Sequence, residues 1–140
     1  MKLKSLLTLA LTLAIGGSMA FAEEDTPLLK EMKTINKNLR TLKRQVEDPA
    51  KKDENLALIT ASRKSIDASM KMEPMKTKDV PAGDKAAYLS KYKAQMTDLA
   101  KSYSELEDAV KAGKSDEAKK LFEKLSEQKE KGHKDFAPEE

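Results

Sequence analysis

Apolar residues recur along this chain at alternating intervals of four and three, the repeat of an α-helix that buries one face. Leu28, Met32, Ile35, Leu39, Leu42 and Val46 form the first such stripe. It predicts a helix over about Pro27 to Val46, with Thr26 as its cap and Pro27 in the first helical position. Glu47 to Asp53, containing Pro49, reads as the first connection. A second helix is expected over Glu54 to Met70, where Leu56, Ile59, Ile66 and Met70 keep helical spacing and Arg63 interrupts the stripe. Met72 to Gly83 carries Pro74, Pro81 and Gly83 and is the long loop.

The third helix is expected from Asp84, as its cap, to Ala112, with Tyr88, Tyr92, Met96, Leu99, Tyr103, Leu106 and Val110 on its apolar face. Gly113-Lys114 ends it in a tight turn, glycine standing where a helix C-terminus favours it. Ser115 is expected to cap the fourth helix, with Asp116 and Glu117 in the favourable first turn. Ala118, Leu121, Phe122, Leu125 and Phe136 make its apolar side. Four amphipathic helices in this order predict an all-α fold, an antiparallel up-down-up-down four-helix bundle.

The first 22 residues read differently from the rest. Lys2 and Lys4 precede an apolar stretch from Leu6 to Ile15, and Ala20-Phe21-Ala22 is an A-x-A cleavage site. This is the form of a cleavable bacterial export signal, which puts the mature chain, Glu23 to Glu140, in the periplasm as one small domain. The apolar run is too short for a membrane span, so none is expected after cleavage. Removing Lys2 and Lys4 lowers Lys+Arg from 27 to 25 against 24 acidic residues, a net charge near +1. Nothing in that balance calls for nucleic acid. Cysteine is absent, which excludes disulfides, thiolate metal sites and covalent attachment of haem through C-x-x-C-H.

The bundle also brings two side chains to one end. Met32 lies roughly 7 Å inside the first helix at about 1.5 Å per residue, and His133 lies within a turn or two of the end of the fourth. His133 follows Phe122 by 11 residues and precedes Phe136 by three, so it is expected to point along the buried stripe. Methionine with histidine is an axial pair of electron-transfer haem. Each residue alone also has a plainer account: Met32 as core filler, His133 as a solvated residue at a helix C-terminus.

Two stretches carry a family resemblance. They are Lys30-Glu31-Met32-Lys33-Thr34-Ile35-Asn36-Lys37-Asn38-Leu39 and Gly113-Lys114 through His133. From Glu23 to Phe136 the chain resembles the cytochrome b-562 family of soluble periplasmic b-type cytochromes. The resemblance implies non-covalent haem b between Met32 and His133 as axial ligands of its iron, electron transfer with partner redox proteins, and no enzyme activity. It makes Tyr92 and Met96 candidate walls of the haem pocket, with Ile35, Leu39 and Leu125 as core residues nearby. The family tends to carry arginines around the ligand histidine, whereas here the neighbours are Lys129, Lys131 and Lys134. Gly132 directly before His133 weakens the last turn by about 1 kcal/mol relative to alanine.

Two other readings remain open. The bundle could serve as a haem-free exported binding or stress protein. Met70, Met72 and Met75 could instead hold Cu(I), for which thioethers are suitable soft ligands. No phosphate-binding loop, dinucleotide fingerprint or serine-histidine-acid arrangement appears. The simplest assembly is a monomer, since the four apolar stripes can close on one another within one chain.

Overall fold

The computed structural model describes residues 25–138. Four helices, α1 (Pro27–Gln45), α2 (Lys52–Ser69), α3 (Lys85–Lys111) and α4 (Ser115–Phe136), form the expected four-helix bundle, and there is no strand among the described residues. The export signal expected over residues 1–22 lies outside the described residues. Single turns of tighter helix, Pro49–Lys51 and Met75–Asp79, occupy the first and second connections.

α1 begins as its sequence dictates. The Thr26 hydroxyl accepts from the Leu29 N–H at 3.2 Å, and Pro27 follows the cap. Ile35, Leu39 and Leu42 are buried, while Leu28, Met32 and Val46 pack against the core from its margin. The end of α3 is equally local in origin. Gly113 takes φ +69°, and its N–H and that of Lys114 bond back to the carbonyls of Val110 and Ala109. That pair of bonds reverses the chain into α4.

Three expectations change. Ser115 does not cap α4: it is the first helical residue, and Lys114 stands at the cap without a side-chain bond. Asp84 occupies the cap position of α3, but its side chain makes no capping bond. The buried face of α2 runs through Asn55, Ile59, Ser62, Ser65, Ile66 and Ser69, so small polar residues, rather than Arg63, share the seam. The serines are tolerated because their hydroxyls turn back onto their own helix. Ser62 donates to the Leu58 carbonyl at 2.9 Å and Ser69 to the Ser65 carbonyl at 2.7 Å. Ser62 also accepts from the Asn38 amide of α1 at 3.2 Å. Arg63 points outward to Glu107 at 2.6 Å.

Consecutive helices pack closely, whereas α1 and α4 stand apart over much of their length. Their direct ties lie towards one end of the bundle. Lys43 donates to the Ser126 hydroxyl at 2.9 Å, and Lys119 meets Glu47 at 2.6 Å. At the other end, where α1 begins and α4 finishes, the two helices separate around a cavity.

Candidate functional site

The cavity has a volume of about 420 Å³ and opens between α1, α3 and α4. That is within the usual size range of small-molecule and cofactor sites. Its walls are mostly apolar: Met32, Ile35 and Leu39 from α1, Met96 and Leu99 from α3, and Leu125 from α4. Tyr92 and Phe136 line it in edge-to-face contact, with centroids 5.2 Å apart. The Tyr92 hydroxyl donates to the Ser69 carbonyl at 2.7 Å, which ties this wall to the end of α2. Burial pushes the Tyr92 phenol up to about 12.

Met32 and His133 both line this cavity. Met32 is half-buried, as its place on the α1 stripe predicts. His133 differs from expectation: it is exposed, at the cavity's rim, instead of within the buried stripe. The buried line of α4 runs through Phe122, Leu125 and Phe136, with Gly132 rather than His133 on its course. One residue further along turns His133 about 100° round the helix, from the core to its edge. A ligand lying in the cavity would meet it there.

The remaining residues singled out from sequence divide in two. Tyr92, Met96, Ile35, Leu39 and Leu125 line the cavity, and so does Lys129. Lys131 and Lys134 are exposed and are not among its walls. The methionine run is split: Met70 packs against the core, and of the three only Met75 lines the cavity.

Several features of the cavity were not legible from the stripes alone. Tyr103 and Gln128 line it, and each carries a buried oxygen, the Tyr103 hydroxyl and Gln128 Oε1, without a hydrogen-bonding partner. The Tyr103 phenol is pushed up to about 12 by burial. Ser62 offsets part of that rise, although its own well-formed hydrogen bonds run to Asn38 and Leu58. Leu29, 40% exposed, and Met75, 41% exposed, are the large apolar residues most open to solvent among the described residues, and both rim the cavity. Gln95 is also part of the lining and donates through Nε2 to Asp135 Oδ2 at 2.6 Å. This bond, with the Lys91 ammonium at 3.0 Å, holds the Asp135 carboxyl below its usual range. The signal for Gln95 and Gln128 was present as a polar residue in the helical register of an apolar stripe, three positions after Tyr92 and Leu125 respectively.

Together these observations describe a site that suits a mostly apolar small molecule or cofactor. It offers apolar walls, exposed apolar rim residues for a ligand to cover, two unpartnered oxygens and a thioether with an imidazole. Lys129 adds positive charge beside it, and the Lys33 ammonium is paired with Asp25 at 2.5 Å. Among the described residues no cluster of histidine and acidic side chains forms a metal site, and no helix is long and apolar enough to cross a membrane. The model of the cytochrome b562 family matches residues 27–137. No curated protein and no solved structure matches the chain.

Proposed function

The chain belongs to the cytochrome b562 family, and from that membership we propose that it carries electrons in the periplasm with haem b bound between Met32 and His133. The family comprises haem-binding electron carriers, and its haem b is held without a covalent bond. The observation that carries the ligand assignment is the shared cavity: the thioether of Met32 and the only imidazole of the chain line the same space.

When bound, haem supplies the one-electron iron couple. The chain's contribution is to hold, shield and tune it. The Met32 thioether is a soft donor that favours the reduced iron, which raises the potential relative to two histidine ligands. His133 supplies the imidazole from the rim. Met96, Leu99 and Leu125 exclude water from one end of the bundle, and the lack of cysteine leaves binding to packing and ligation alone. Lys33 and Lys129 are the cations that would meet the haem carboxylates, as point charges and not as bidentate forks.

The test is a haem titration of the purified mature chain, followed by visible absorption in both oxidation states. A saturable one-to-one complex with sharp low-spin reduced bands supports the proposal. Absence of binding contradicts it, and leaves the bundle as a haem-free member of its family.

A further inference from the structure

His133 does not fix its own ring. Among the described residues its imidazole has no hydrogen-bonding partner. A metal-binding histidine ordinarily has its second ring nitrogen held by a carboxylate, a carbonyl or water. Its orientation here must come from the helical turn that carries it. That turn is weak by composition, since Gly132 stands directly before His133 and glycine gives up helical order readily.

The turn is nevertheless gripped from α3 at Asp135 and Phe136, two and three residues after His133. Asp135 Oδ2 accepts from Gln95 Nε2 at 2.6 Å and meets Lys91 Nζ at 3.0 Å. Lys91 and Gln95 are four residues apart on α3, so they lie on one face and bracket the carboxylate. The Asp135 side chain is only 20% exposed. Phe136 packs edge-on against Tyr88 and Tyr92, each centroid 5.2 Å away. Gln95 also closes over Gly132: its Oε1 lies 3.8 Å from where a Cβ at that position would stand.

We propose that Gln95 and Lys91 are positioning residues for the iron ligand, holding Asp135 so that the last turn of α4 presents His133 to the cavity. The inference rests on the assignment of His133 above. Charge-assisted bonds of this kind are short and directional, which suits them to fixing a helix end. The Ala137 N–H bonded to the His133 carbonyl at 2.9 Å reports directly on whether the turn is closed.

The test uses the mature chain with Asp135→Ala and the conservative Asp135→Asn, which can still accept from Gln95. Amide exchange is measured without haem, and haem dissociation by transfer to excess apomyoglobin. In Asp135→Ala the amides of residues 135–137 should exchange about tenfold faster while those of central α3 are unchanged. Haem should leave about tenfold faster. Asp135→Asn should recover most of both. Unchanged exchange at the turn, a uniform rise across all four helices, or faster exchange without faster haem loss would each overturn the positioning role. A wild-type chain that takes up no haem would overturn the assignment of the site itself, whatever the exchange shows.

Discussion

The Tyr92 hydroxyl of α3 donates to the Ser69 carbonyl at the end of α2 across 2.7 Å, inside the protein. Tyr103, three turns along the same helix, is fully buried with no partner for its hydroxyl. The two phenols therefore make opposite contributions to stability. Removing a satisfied hydroxyl costs a hydrogen bond, whereas removing an orphaned one relieves a desolvation penalty. Tyr92→Phe should destabilise the haem-free protein by about 1 kcal/mol, and Tyr103→Phe should be neutral or stabilising by about the same amount. Urea unfolding of the two variants checks this, and equal losses in both would contradict it.

The same pair should make the fold sensitive to alkali. Burial raises both phenols from 10.0 to about 12, so the folded state resists their ionisation. A group raised in the folded state contributes stability that is complete below its unfolded pKa and drains away as pH rises through the folded value. The melting temperature should therefore carry a tyrosine-dependent fall between about pH 10 and pH 12. Subtracting the profile of Tyr92→Phe/Tyr103→Phe isolates it from the titration of surface lysines. Parallel profiles across that range would show that the phenols ionise alike in both states.

Two glycines beside the site's helices should respond in opposite directions to alanine. Gly113 holds φ +69°, a conformation that costs any other residue, so Gly113→Ala should lose about 1 kcal/mol. Gly132 is helical, and an added Cβ would meet only Gln95 Oε1 at 3.8 Å, an ordinary contact. Gly132→Ala should therefore gain about 0.5–1 kcal/mol in the haem-free protein. Thermal unfolding monitored by circular dichroism distinguishes them. Destabilisation by Gly132→Ala would mean that Gln95 cannot yield without losing its hold on Asp135.

Legibility from sequence followed how local the physics was. The Thr26 cap and the glycine turn at Gly113 depend on a few neighbouring residues, and both were readable. The seam of α2 was not, because Ser62 and Ser69 become acceptable core residues only through bonds to their own helix. The site was half legible. Met32 lies on an unbroken stripe and lines the cavity, whereas His133 stands at the rim, one step outside the buried stripe that its spacing predicts. Gly132, half-buried, occupies the inward position that spacing from Phe122 predicts for the histidine. The Gln95–Asp135 bond joins residues 40 positions apart and could not be seen before the helices were paired.

The proposed ligation of iron by Met32 and His133 is tested by the absorption spectrum of the haem complex in variants lacking one ligand. Wild type and Met75→Ala, which alters another thioether on the cavity rim, should both show sharp low-spin bands in the reduced state. Met32→Ala and His133→Ala should each lose those bands and give a high-spin spectrum with weakened haem binding. A low-spin spectrum that survives either of these two substitutions unchanged would contradict the assignment.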